Sequence, residues 1–237
     1  MKLLLIAVFT SFGLVSFSQK VINDVNAAVR NVSAFSGIKV SGGIDVYLSQ
    51  SENYALAVSA SDDKYRENIK TEIRDGILTI WFDSDNFRWM RGDKKLRAYI
   101  SFKDIQSLEA SGACSIKIED QMNTGSFSLR LSGACDISGN LKVSDMFMDL
   151  SGASTVKLEG AVENLKIECS GASDVKDYDL QVENCVAKIS GASDVKISIN
   201  KSISASASGA SSLKYKGNPD KRDVATSGAS SISQRNN

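Results

Sequence analysis

The stretch Ser128-Leu-Arg-Leu-Ser-Gly-Ala-Cys-Asp-Ile137 decides the fold. Leu129 and Leu131 alternate with Ser128 and Arg130, the period-2 pattern of a strand buried on one face. Ser132-Gly133-Ala134 then breaks the strand, and Cys135 and Ile137 resume it. Ser-Gly-Ala recurs seven times, beginning at Ser111, Ser132, Ser151, Ser170, Ser190, Ser208 and Ser227, at intervals of 21, 19, 19, 20, 18 and 19 residues. The residue after it is always small: Cys114, Cys135, Ser154, Ser173, Ser193, Ser211 and Ser230. Five residues after each leading serine stand Ile116, Ile137, Val156, Val175, Val195, Leu213 and Ile232. Three before it stand Leu108, Leu129, Met148, Ile167, Ala187, Ala205 and Val224. A fixed period with apolar residues at fixed offsets marks a stack of units, none of which can bury its own apolar face.

A unit of about 19 residues holds two or three short strands. The β-branched Ile and Val, with Gly at each corner, favour an all-β coil over a leucine-rich repeat, whose Asn and Leu framework is missing. Gly suits a corner that needs positive φ or close backbone approach. Stacked coils spaced ~4.8 Å apart would make a rod of roughly 35 Å over residues 106–237. Ser41-Gly42-Gly43 reads as a degenerate eighth copy.

Residues 19–105 lack the period but still read as β. Strands are expected at 35–40, 43–48, 54–58, 69–73, 77–82 and 96–100, with Asp75-Gly76 as a hairpin turn and a short helix at 62–68. The first strands are expected to run into the solenoid and cover its end, because a stack needs a cap against edge pairing. Residues 1–18 read as a secretory signal peptide: Lys2, an apolar run from Leu3 to Phe17, and small residues at Ser16 and Ser18 before Gln19. The run is too short to span a bilayer, and no later segment is long and apolar enough. The protein is therefore expected in the periplasm or at the cell surface. The mature chain would carry 27 Lys and Arg against 28 Asp and Glu, a net charge of −1. It lacks the basic footprint of nucleic-acid binding.

Phe35-x-x-Ile38-x-Val40-x-Gly42-Gly43-Ile44-Asp45-Val46-x-Leu48, then a hairpin from Glu72 to Phe82, then Leu-x-x-Ser-Gly-Ala-Ser repeats, resembles the family called putative auto-transporter adhesin, head GIN domain. The resemblance runs from about residue 30 to 230. The name-giving Gly-Ile-Asn reads Gly43-Ile44-Asp45 in this chain. The resemblance implies an all-β, right-handed parallel β-helix-like solenoid and an exported bacterial protein.

With no histidine in the chain, a Ser-His-Asp or Cys-His site and His-ligated zinc are excluded. Paired acids remain to be considered. Asp136, Asp174 and Asp194 share one repeat offset, and Asp174 and Asp194 would stack on adjacent coils. They are candidates for a carboxylate pair of a polysaccharide-cleaving enzyme or for Ca²⁺. Ser115, Thr155, Ser212 and Ser231 fill the same offset, which points instead to turn residues satisfying backbone groups. No cofactor is expected.

The segment from Trp81 to Lys95 gathers both tryptophans, two phenylalanines and a basic group of residues. Trp81, Phe87, Arg88, Trp89 and Arg91 there suit glycan or protein recognition at the cell envelope, or a hairpin that caps the solenoid. Arg91-Gly92-Asp93 is a tripeptide that a chain this long carries by chance roughly one time in twenty. Four cysteines in an exported chain invite disulfides. Cys114 and Cys135 hold one repeat position in consecutive coils, within disulfide reach, while Cys169 and Cys185 sit at apolar offsets as free thiols. The expected role is a non-catalytic binding or adhesion module. The alternatives are a polysaccharide-active enzyme, or a passive scaffold that self-associates as a homo-oligomer through its open coil end or strand edge.

Overall fold

The computed structural model describes residues 24–84, 93–176 and 178–235. Among the described residues, eighteen strands join one continuous sheet that coils into a β-solenoid of about 7 turns with ~19 residues per turn. The one helix among the described residues is Asp63–Arg66, N-capped by Asp62, whose side chain accepts from the Lys64 amide.

Each coil has three sides. The first follows the Ser-Gly-Ala corner and carries Ser115–Ile118, the opening residues of Asp136–Leu150, Thr155–Cys169 and Asp194–Ala207, and Asp174–Val175, Ser212–Lys216 and Ser231–Gln234. All pair in parallel, with Asp136 opposite Ser115 and Thr155, and Asp194 opposite Asp174 and Ser212. The second side is short, with Met122, Leu141 and Gly160 in one row. The third leads back to the Ser-Gly-Ala corner, with Leu129 between Leu108 and Met148. Inward residues at these offsets (Leu108, Leu129, Met148, Ile167; Ile116, Ile137, Val156, Val195) are essentially inaccessible and form columns along the axis. Columns of this kind are how a unit with too little apolar surface of its own acquires a core.

The N-terminal region enters the same ladder, but not in chain order. Gly37–Ser41 lies between Ile77–Phe82 and Ser107–Ser111, and Asp45–Gln50 between Arg97–Phe102 and Ser115–Ile118. Ser41-Gly42-Gly43 therefore occupies the Ser-Gly-Ala corner of an extra coil, with Gly42 at φ 89° and Gly43 at φ 73°. Beyond it, Ile77–Phe82 and Arg97–Phe102 form the last coil. Antiparallel strands then close that end: Ala55–Ser59 on Arg97–Phe102, Ala28–Arg30 on Ala55–Ser59, and Ile69–Arg74 on Ile77–Phe82. The expected strands and turn at Asp75-Gly76 are present, with Asp75 at φ 52° and Gly76 at φ 74°.

Candidate binding surfaces

The Ser-Gly-Ala corner spends its polar groups on the fold. The leading serine hydroxyls donate to carbonyls one coil away: Ser132 to Ala110, Ser151 to Leu131, Ser170 to Leu150 and Ser190 to Cys169, at 3.2–3.4 Å. The fourth residue turns inward and donates to the carbonyl of its own leading serine, as in Ser154 to Ser151 at 3.2 Å and Ser211 to Ser208 at 2.8 Å. Gly152, at φ 77°, lies so close to the preceding coil that a Cβ would fall 2.3 Å from the Gly133 carbonyl oxygen. Glycine is thus required both by dihedral and by stacking. Nothing reactive is presented to solvent at this corner.

Cys114 and Cys135 belong to that inward column. Both are buried thiols, and their sulfurs donate to Ser111 O at 3.3 Å and Ser132 O at 3.2 Å, the bonds that serine makes in later coils. The interaction between the two neighbouring thiols lowers the Cys114 pKa and raises that of Cys135. Cys169 and Cys185 are buried thiols as well, each pushed up to about 12 by burial.

Asp136, Asp174 and Asp194 face outward on the first side. Asp174 and Asp194 are direct register partners. Each faces a lysine two residues on, Lys176 at 3.5 Å and Lys196 at 3.3 Å, so an ammonium already stands where a bound cation would sit. Among the described residues, no group of three or more acids or cysteines is arranged to hold a metal.

Of the segment expected to carry a ligand site, residues 81–84 and 93–95 are among the described residues. Trp81 is half-buried on the strand Ile77–Phe82, opposite Lys70. The segment's C-terminal end is anchored by the Asp45 amide donating to Leu96 O at 2.9 Å and the Ser61 amide to Lys94 O at 2.8 Å. The Lys94 ammonium lies 5.7 Å from the Phe82 ring and 6.0 Å from the Tyr65 ring. Gly42, Gly43, Asp45, Phe82 and residues 93–96 line a hollow of about 360 Å³ there, and burial raises the Asp45 pKa. Phe87, Arg88, Trp89 and Arg91, with Gly92 of the tripeptide, lie outside the described residues, as does the expected signal peptide at residues 1–18.

A larger feature was not anticipated from the sequence. Where the second side meets the third, a groove of about 720 Å³ runs along the axis over five coils, lined by Thr124, Lys142, Ser144, Glu163, Glu183 and Lys201 among others. Next in sequence to the lining residues Ser144, Glu163, Glu183 and Lys201 runs a ladder of side chains: Asn164 donates to Asp145 at 3.0 Å, Asn184 to Asn164 at 3.0 Å, and Ser202 to Asn184 at 2.8 Å. Glu183 accepts from Asn200 at 3.0 Å and pairs with Lys201 at 3.1 Å, and these two hold its carboxyl below the usual range. The Asn164/Asn184 spacing, equal to the repeat, was the available signal.

The family described as putative auto-transporter adhesin, head GIN domain, matches residues 34–219. The chain belongs to this family. A solved structure of a putative adhesin from Bacteroides fragilis NCTC 9343 superposes with a TM-score of 0.82 at 22% identity, over 88% of this chain and 96% of that one. A putative adhesin from Parabacteroides merdae ATCC 43184 gives 0.64 at 18% identity, over 89% and 95%. A protein from Parabacteroides distasonis ATCC 8503, titled a putative lipid binding protein, gives 0.64 at 18%, over 90% and 98%. At these identities the likeness is one of fold. No curated protein matches the chain. No helix among the described residues is long and apolar enough to cross a membrane.

Proposed function

We propose that this head GIN domain protein is an exported, non-catalytic binding module of the bacterial envelope, acting in adhesion from the periplasm or the cell surface. The observation that carries the reading is the five-coil groove, open along its length and lined by polar and charged side chains such as Thr124, Lys142, Glu163, Gln181 and Lys201. An open polar trough of this shape suits an extended polymer, a glycan or a peptide, better than a small substrate, which needs an enclosed pocket. The family name and the adhesin titles of the similar structures point the same way.

A polysaccharide-cleaving enzyme would place two carboxyls across such a groove, one with a raised pKa to serve as general acid. Glu163 and Glu183 stand in the groove on successive coils, but Asn200 and Lys201 pull the Glu183 carboxyl downward, which keeps it ionised. The aromatic-basic segment from Trp81 to Lys95 is a second candidate for holding a ligand.

A glycan array and a polymer-degradation assay on the exported chain test the proposal. Retention of one glycan class without product release is the expected result. Product release abolished by Glu183→Gln or Asp174→Asn would overturn it. Loss of retention on Trp89→Ala, with the β circular dichroism spectrum intact, would move the site to the aromatic segment.

A further inference from the structure

One outward row has a composition that the fold does not explain. Six residues after each leading serine stand Lys117, Ser138, Lys157, Lys176, Lys196, Lys214 and Ser233. The register carries this row along the first side, Lys117 opposite Ser138, Ser138 opposite Lys157, and Lys196 opposite Lys214. It continues into the N-terminal coils as Tyr47, opposite Lys117, and then Tyr99; the two rings stack 5.1 Å apart at 18°. No acid stands anywhere in the row. Like charges directly opposite on neighbouring strands repel, so four lysines on successive coils are a cost to folding.

Acids border the row on both flanks. Asp136, Asp174 and Asp194 stand on one side, Glu119 and Glu159 on the other, and Lys117, Lys176 and Lys196 pair with Glu119, Asp174 and Asp194 at 3.1–3.5 Å. Exposed pairs of this kind contribute about 0–1 kcal/mol and yield easily to a competing anion. Toward the last coils the acids run out. The flanking positions become Ser212 and Ser231 on one side, and Ser198, Lys216 and Arg235 on the other. Lys196, Lys214, Lys216 and Arg235 therefore gather on three neighbouring strands, with Asp194 the one carboxylate among the described residues of those rows. Lys216 and Arg235 also lie 5.0 Å and 5.4 Å from the Tyr178 ring.

We infer that this row is a binding site for a linear acidic polysaccharide lying parallel to the solenoid axis and anchored at Lys214 and Lys216. Successive coils are ~4.8 Å apart, about the length of one sugar residue in an extended chain, so consecutive carboxylates or sulfates meet consecutive lysines. Each contact is weak, and tethering them along one polymer makes the sum strong. The acid borders select the shape of the ligand. Over the earlier coils, where Glu119, Asp136, Glu159, Asp174 and Asp194 stand, they repel a broad anionic surface such as a membrane and leave a track one chain wide. The near-neutral overall charge likewise disfavours nucleic acid. This inference rests on the binding-module reading and names the ligand class at a surface other than the groove.

The test measures retention of the exported chain on polygalacturonate, on neutral dextran and on vesicles rich in anionic lipid, at low and high salt. Polygalacturonate is expected to bind, longer fragments more tightly than short ones, with binding weakened by salt. The double variant Lys214→Glu/Lys216→Glu, with Lys214 exposed, Lys216 half-buried and both outside the core, should lower that binding at least about tenfold. Lys103→Glu/Lys188→Glu, exposed and away from both the row and the groove, should leave it unchanged. Equal binding by the Lys214/Lys216 variant, or binding to vesicles but not to polygalacturonate, overturns the inference. Binding only to neutral glycans overturns it while leaving the adhesion proposal standing. Polymer cleavage in place of retention overturns both.

Discussion

The seven-coil body and the N-terminal end use the same corner and hold it in different ways. In the body, each Gly packs on the Gly one coil before, each Ala amide bonds to that Gly's carbonyl at 2.7–2.9 Å, and each inward Ser or Cys ties its own turn. The contacts repeat, so stability is close to a sum of equal neighbour terms. The end is held by contacts that occur once: Phe35 edge-on to Tyr54, Tyr47 stacked on Tyr99, and Asp24 accepting from Tyr99 at 2.8 Å and from Arg97 at 3.3 Å. A repeated corner constrains its residue types through its own copies, whereas a closing coil is held by side chains that need match no neighbouring copy.

The largest expected effect breaks this comparison at glycine. Gly152→Ala puts a methyl 2.3 Å from Gly133 O in a left-handed backbone, and should cost about 3 kcal/mol or more in chemical denaturation. Gly43→Ala has the same sign of φ, but its nearest neighbour would be Ala113 O at 3.9 Å, so only the dihedral penalty of about 1 kcal/mol remains. Equal losses at the two sites would mean that backbone stacking does not distinguish body from end.

Asp24 probes the end alone. Burial by itself would raise its carboxyl, but hydrogen bonds from Tyr99, Ser59 and the Asn26 amide, with Arg97, hold it below the usual range. Its contribution is therefore complete above the unfolded value of 3.8 and is lost as pH falls through the lower folded value. Asp24→Asn should cost about 2 kcal/mol at neutral pH, and the loss should vanish in acid. Amide exchange should report it in 28–30 and 55–59 and not in the body. The Tyr99 hydroxyl, pushed up to about 12 by burial and the Asp24 bond, should ionise late in a spectrophotometric titration. A smaller loss, about 1 kcal/mol, is expected for Ser154→Ala, which leaves the Ser151 carbonyl without that donor.

The coil was legible because its cause is local. Leu129, Leu131 and Ile137 declare an inward face, Gly133 a corner, and the 19-residue repeat their stacking. The order of the N-terminal coils was not legible. That Gly37–Ser41 slots between Ile77–Phe82 and Ser107–Ser111 depends on pairings across 40 and 70 residues, which no local pattern encodes. The groove is absent from the sequence pattern for a related reason. Thr124, Lys142, Glu163 and Glu183 sit where the strand bends between two sides, and alternation says which face a residue takes but not where the sheet turns. The lysine row was visible at a fixed offset in five of seven repeats, yet its meaning depends on its acid borders running out in the last coils.

The smallest expected effect concerns Cys114 and Cys135, where serine and cysteine do the same work. Each thiol is buried, 2% and 0% exposed, and bonds to the carbonyl that serine bonds to in the later coils. Exchanging both for serine keeps the donor, the small volume and the inward direction. The double variant Cys114→Ser/Cys135→Ser should therefore match the parent within about 0.5 kcal/mol, with the same midpoint whether or not reductant is present. A covalent link between the two would behave otherwise, because closing a loop of this length stabilises by about 3 kcal/mol, all of it lost on reduction. A parent midpoint that falls with reductant, while the double variant does not respond, would assign the pair to a disulfide. It would then be a staple across the first two corners, at the point where the repeated body begins.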